Sequence, residues 1–311
     1  MSIIEVKNRI KAVKNIGQIT KAMEVVAATK MRKSQEVALR SRPYAFKALQ
    51  LLSILSQYAP IKTPLFQARP GKTGKKTLLV IVTSDRGLAG SFNSQVLRLA
   101  DKFTEAYKAD PAEKLKVIAV GKKAIAYANK KKLDIVDGFS GFGDFIETKE
   151  TNPLADILIA GYLKKEWDGV MTISTHFRST LKQEVLMRQI LPVDLEKVRE
   201  TINEIIPESG RFASMRNTEL VIRNSFVDYI FEPSPKELIE ELVDHLVRMQ
   251  VYHLVLEANA SEHSARMVAM KTASDNAKEL SEKLNLEYNK ARQAGITKEL
   301  IEITSAIQTL Q

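Results

Sequence analysis

The decapeptide Ser84 to Asn93 (SDRGLAGSFN) follows an apolar run and precedes a helical pattern, the position that a phosphate-binding loop takes between strand and helix. Its two glycines, Gly87 and Gly90, lack the spacing of a dinucleotide loop, so a tight strand-to-helix turn is expected. Gly71, Lys72 and Thr73 imitate the end of a Walker loop. Phe66 stands where the upstream glycine belongs, however, and the segment precedes a strand instead of following one. His245, His253 and His263 lie eight and ten residues apart, which does not bring all three together on one helix face, and His253 and His263 sit on an apolar helix seam, so packing is the better reading than metal binding. The acidic residues are dispersed among basic ones, with no HExxH, no Gly-x-Ser-x-Gly and no spacing that marks a catalytic pair. The chain has no cysteine, which removes disulfides, thiolate metal sites and a cysteine nucleophile. No cofactor is expected.

The elements that carry these residues fall into three parts. From Ser2 to about Tyr58 there is one glycine (Gly17) and one proline (Pro43), and Ile3, Val6, Ile10, Val13, Ile16, Ile19, Met23 and Val26 recur every three or four residues. That spacing predicts an amphipathic helix with Pro43 as its bend. After Pro235 no proline occurs and Gly295 is the only glycine, so a helix of about 70 residues, approaching 100 Å, is expected. Steps of three and four from Ile239 land on Leu242, Leu246, Met249, His253, Leu256, Ala260, His263, Met267, Met270, Ser274, Ala277, Ser281, Leu284, Tyr288 and Ala291, none formally charged. This is the heptad seam of a coiled coil, and the N-terminal helix is its expected partner.

Between the helices, Ala68 to Lys76 reads as a basic linker and Thr77 to Thr83 as a buried strand. A helix at Ser94–Lys108, a strand at Lys116–Val120, a helix at Lys122–Lys131 and a short strand near Ile135 follow. Beyond a loop holding Gly138, Phe139, Gly141, Phe142 and Gly143 come a helix at Pro153–Lys165 and strands at Gly169–Thr175 and Glu184–Leu191. A helix and surface loop are expected in Asp194–Arg216, and a further strand at Phe226–Phe231. The alternation predicts an α/β fold: a long antiparallel coiled coil of the N- and C-terminal helices with an inserted, Rossmann-like α/β domain on a largely parallel sheet. The expected boundaries are 1–67, 68–232 and 233–311.

With 311 residues the chain can hold two cores, and its net charge of +10 favours acidic partners without choosing among them. A basic coiled coil on nucleic acid is one rival reading. Against it, basic and acidic residues alternate through the C-terminal helix and no recognised binding motif is present. A nucleotide-dependent α/β enzyme is the other, and it lacks a credible phosphate loop. Met1 to Lys11 is charged and has no apolar core of a secretory signal, so no cleaved segment is expected. The longest apolar run, Leu78 to Val82, falls far short of the roughly 20 residues that span a bilayer, so membrane association is expected only through partners.

Three stretches resemble one family. Asn15 to Met31 (NIGQITKAMEVVAATKM) is similar to the N-terminal signature of F-type ATP synthase gamma subunits, matching at Ile19, Thr20, Lys21, Ala22, Met23, Glu24, Val26, Ala27, Ala28 and Lys30. MRKSQ and SRPYA extend it, while Gly17 and Gln18 depart from the family's usual polar pair. SDRGLAGSFN is similar to the second recurrent motif, where it is structural. Glu262 to Ala277 with Asn289 to Ile303 resembles the C-terminal signature almost residue for residue, and YIFEPSP at Tyr229–Pro235 adds a further match.

The resemblance implies a non-catalytic shaft on the axis of a ring of alternating alpha and beta subunits, its α/β domain a foot on epsilon and the membrane c ring. It implies beta-subunit contacts at Arg292, Gln293 and Thr297 on the C-terminal helix and at Lys21, Met23 and Lys30 on the opposing one. It also implies placement at the cytoplasmic face of a bacterial plasma membrane. Lys7, Arg9, Lys11, Lys14, Lys21, Lys30, Arg32 and Lys33 would face an acidic loop of beta. The stretch beyond Lys298, with Ile301, Ile303, Ala306, Ile307 and Leu310, would turn in an apolar bearing.

Overall fold

A computed structural model describes residues 3–60, 62–67, 76–108, 113–143, 146–204, 206 and 231–309, with the side chains of residues 3, 108, 203 and 304–309 excepted. In chain order the elements are α1 (Ile3–Tyr58), a 3-10 turn (Pro64–Phe66), β1 (Lys76–Val82), α2 (Phe92–Lys108), β2 (Lys114–Val120), α3 (Lys122–Lys130), β3 (Ile135–Phe139), α4 (Thr148–Leu163), β4 (Gly169–Phe177), β5 (Gln183–Leu191), α5 (Leu195–Glu204) and α6 (Pro235–Thr309). The chain divides into two units, one of residues 1–27 with 266–311 and the other of residues 28–265, and α1 and α6 contribute to both.

The larger unit is built on β1, whose apolar run has no polar alternation because both of its faces are covered. Leu78, Val80 and Val82 face a cluster with Ala45, Leu52 and Leu55 of α1, Leu154 and Leu158 of α4, and Val243, Val247 and Val251 of α6. Leu79 and Ile81 face the other way, against Val96 and Ala100 of α2 and Ala124 and Ala128 of α3. The sheet order is β3-β2-β1-β4-β5, parallel except for β5, which pairs antiparallel with β4. This is the doubly wound arrangement, with its change of winding direction between β1 and β4.

Several boundaries differ from the sequence reading for identifiable reasons. Helix α4 begins five residues before Pro153, because Glu147 and Glu150 form a reciprocal capping box that starts the helix upstream of the proline. Pro43 lies inside α1, which continues through it to Tyr58. Gly138 and Phe139 belong to β3 and not to a loop, and Phe231 lies outside any strand. The rest of the expected strand 226–231, the end of the 194–216 segment, the imitation Walker residues and most of the linker 68–76 fall outside the described residues. At the head of α6, Ser234 Oγ accepts from the Glu237 amide at 3.3 Å, and Pro235 takes the first helical position, where its missing N–H costs nothing.

In the smaller unit α1 and α6 run antiparallel. Val6, Ile10 and Val13 pack with Ala277, Leu284 and Tyr288. The Ser274 hydroxyl donates to the Gly17 carbonyl at 3.4 Å, and a Cβ on Gly17 would lie 3.4 Å from that of Ala277. Every seam position expected on α6 is buried or half-buried, from Ile239 to Ala291. The stripe on α1 needs correction. Val6, Ile10, Val13, Thr20 and Ala27 are buried, with Gly17 and Glu24 half-buried between them, whereas Ile16, Ile19 and Val26 are 53%, 60% and 52% exposed. The apolar residues of α1 thus form two stripes, and only one of them is the seam.

Candidate functional site

The turn Thr83 to Asn93 occupies the crevice position of the doubly wound sheet, and its own polar groups fill it. Ser84 and Asn93 bond to each other through the Ser84 amide to Asn93 Oδ1 (3.0 Å) and Asn93 Nδ2 to Ser84 Oγ (2.8 Å). The Asp85 carboxylate accepts from the Lys122 amide at the start of α3 (2.8 Å) and from the Gly141 amide (2.7 Å). These donors, at a helix N-terminus and a glycine loop, are the kind that would receive a phosphate, and a built-in carboxylate already sits on them. Gly121, at φ +93°, brings this helix start against β1, where a Cβ would meet the Thr83 carbonyl at 2.3 Å. The segment is a strand-to-helix turn between β1 and α2, held by these side-chain bonds.

The histidines divide by environment. His253 and His263 are buried and His245 is exposed. Ser41 Oγ donates to the Ala38 carbonyl (2.8 Å), so at 3.1 Å it accepts from His253 Nε2–H, which fixes the neutral tautomer. Burial pulls the His253 pKa down to about 4, against a partial upward pull from Glu257.

Of the residues expected to meet a partner, Lys21, Arg292, Gln293 and Thr297 are exposed, and Met23 and Lys30 are half-buried. In the seam's register, Lys7, Lys14 and Lys21 recur every seven residues along one flank of α1, all exposed. Ile16, Ile19, Met23 and Val26 form the other flank, about 100° round the helix from the seam. Lys21 pairs with Glu24 at 3.0 Å, and Met23 is half-buried on the apolar flank. Lys30 is half-buried and belongs to the larger unit. On α6, Arg292, Gln293 and Thr297 are exposed, and the Thr297 hydroxyl donates back to the Gln293 carbonyl at 2.9 Å.

The structure does not bring the two groups of the smaller unit together. Gly17 lies level with Ser274 and Ala277, so Lys21 and Met23 stand about 20 residues, roughly 30 Å, from Arg292 along α6. Beyond Lys298, Ile301 and Ile303 are 58% and 57% exposed, while the side chains of Ala306, Ile307 and Leu310 lie outside the described residues.

One group of functional interest was missed in the sequence. Among the described residues Glu257 of α6 is the only buried side chain with a formal charge, at 5% exposure. It bonds to His176 of β4 and Arg188 of β5. The available signal was His176, an ionisable residue inside the otherwise unchargeable strand GVMTISTHF.

The phosphate position of the α/β unit holds its own carboxylate, and α1 carries exposed apolar and basic flanks. A family model described as ATP synthase matches residues 2–310. The chain is 36% identical to the ATP synthase gamma chain of Salinibacter ruber, covering 99% of this chain and 97% of that one. It is 38% identical to the ATP synthase gamma chain of Geobacter metallireducens, covering 100% and 99%. Among solved structures it resembles a chain of the Euglena gracilis mitochondrial ATP synthase OSCP/F1/c-ring assembly, at 18% identity, TM-score 0.62 and 99% and 94% coverage. It also resembles a chain of the Tetrahymena thermophila mitochondrial ATP synthase central stalk/c-ring, at 22% identity, TM-score 0.56 and 82% and 99% coverage. The chain belongs to the ATP synthase gamma-chain family. It is a subunit of that complex and not an enzyme by itself.

Proposed function

We propose that this chain is the rotating central shaft that couples proton flow through a membrane c ring to ATP synthesis or hydrolysis on the catalytic beta subunits of an alpha–beta hexamer. The observation that carries this reading is the double flank of α1. An apolar stripe (Ile16, Ile19, Met23, Val26) and a basic heptad stripe (Lys7, Lys14, Lys21) border one seam, so the coiled coil presents chemically different faces as it turns. A rotor moves its neighbours between conformations only if its faces interact with them unequally, and this asymmetry supplies that difference.

In this reading residues 1–67 and 233–311 form the shaft, and 68–232 form the foot that meets epsilon and the c ring. Lys21, Met23 and Lys30 touch beta along α1, and Arg292, Gln293 and Thr297 touch it further along α6. No nucleic acid takes part. Among the described residues no helix is long and apolar enough to cross a membrane. In this reading the chain sits at the cytoplasmic face of a bacterial plasma membrane through its partners.

Replacing Arg292, Gln293 and Thr297 together by alanine in a reconstituted complex tests the contact assignment. Turnover or rotary torque should fall while the isolated chain keeps its melting temperature; unchanged torque would remove these residues from the interface.

A further inference from the structure

Apolar burial resists separation of packed elements but is non-directional, so it opposes sliding and twisting of a helix on a sheet only weakly. A transmission element therefore needs directional bonds where helix and sheet meet, and the larger unit concentrates them at one place. Glu257 Oε2 accepts from His176 Nδ1 on β4 at 2.9 Å and from Arg188 Nη1 on β5 at 2.9 Å. Arg188 Nη2 reaches Glu204 Oε2 of α5 at 2.7 Å. Glu204 Oε1 lies 3.3 Å from Arg178 Nη1, and Arg178 Nε donates to Glu184 at 3.1 Å. The chain of charge runs from the core outward through four elements.

The next two turns of α6 are held by the same hairpin. The Ser261 hydroxyl donates to the Thr175 carbonyl at 3.4 Å, the Ser264 hydroxyl donates to the Thr180 carbonyl at 2.7 Å, and Gln183 Nε2 donates to Ser264 Oγ at 3.2 Å. We propose that Glu257, gripped by His176 and Arg188, is the positioning residue that locks α6 against rotation on the β4–β5 hairpin, so that twist applied to the sheet passes into the helix.

The proposal rests on the rotor reading and goes beyond it by assigning the transmission to one buried contact. Charge-assisted bonds in a site of low dielectric are stiff and short, which suits that task. Burial alone would raise the Glu257 pKa, but the charge of Arg188 and the hydrogen bond from His176 outweigh it and hold the pKa at about 2. The carboxylate thus stays ionised through the working pH range.

The test uses the complete synthase reassembled in vesicles with the wild-type chain, Glu257→Gln and Glu257→Ala, with a bead on the α/β unit and the hexamer fixed. Stalled-rotor angular fluctuations of the bead report torsional stiffness, and proton uptake per ATP hydrolysed reports coupling. The expected result is ATP hydrolysis within about twofold of wild type, wider fluctuations, and several-fold less pumping per ATP. Glu257→Gln, which keeps the shape and loses the charge, should fall between wild type and Glu257→Ala. It carries the test alone if Glu257→Ala does not assemble. Unchanged stiffness and pumping in assembled complexes would overturn the latch while leaving the rotor reading intact. A wild-type bead that never rotates would overturn the rotor reading itself.

Discussion

His253 Nε2 lies 3.1 Å from Ser41 Oγ, joining α6 to α1 inside the larger unit through a hydroxyl whose own proton is committed to the Ala38 carbonyl. His253 is therefore held neutral, with its pKa drawn down from 6.5 to about 4 by burial. The unfolded chain binds the extra proton first, so stability is complete above pH 6.5 and is lost as pH falls from there towards 4. The loss amounts to roughly 3 kcal/mol. Glu257, also depressed, adds a second loss as pH falls from 4.5 towards 2. Urea melts from pH 7 to 4 should show the first decline, and His253→Gln should flatten it; an unaltered slope would contradict the assignment.

Asp85 bridges the Lys122 and Gly141 amides. Asp85→Ala should cost about 1–2 kcal/mol, the scale of two lost capping bonds at a partly solvated site. Calorimetric unfolding of the isolated chain measures this. Millimolar ATP should leave the wild-type melting temperature unchanged, because the donors it would need already hold a carboxylate; a clear upward shift would favour the nucleotide-dependent rival.

Gly17 sets the closeness of the two helices in the smaller unit, with room for a methyl at van der Waals contact with Ala277 and for little more. Gly17→Ala should be neutral or stabilising by up to about 1 kcal/mol, since helix propensity rises. Gly17→Leu should destabilise by about 1–3 kcal/mol through overpacking. Helicity melts of the full chain distinguish them, and equal melting temperatures for the two variants would contradict the close approach.

Much of this was legible in the chain. The seam from Ile239 to Ala291 could be read position by position because small and apolar residues recur there without a formal charge. The strand TLLVIVT declared its two-sided burial by its lack of alternation. Ile16, Ile19 and Val26 misled because an apolar stripe left exposed and one facing the seam share the same spacing; sequence periodicity reports a face but not what covers it. The Glu257 contact was missed for a different reason, although His176 in the strand GVMTISTHF hinted at a buried polar group. Its partners, His176 and Arg188, lie 81 and 69 residues away and meet it only after β4 and β5 have paired.

The basic flank should act mainly on association. Changing Lys7, Lys14 and Lys21 together to glutamine should slow binding to an acidic hexamer surface, with the deficit largest at low salt and shrinking as ionic strength rises. Stopped-flow assembly kinetics across salt concentrations provide the measurement, and a salt-independent deficit would point to lost packing instead.

The central claim is rotation. With the hexamer fixed to a surface and a bead on the α/β unit, ATP should drive unidirectional turning of the bead. Hydrolysis by an assembled complex whose bead shows no net rotation would contradict the account.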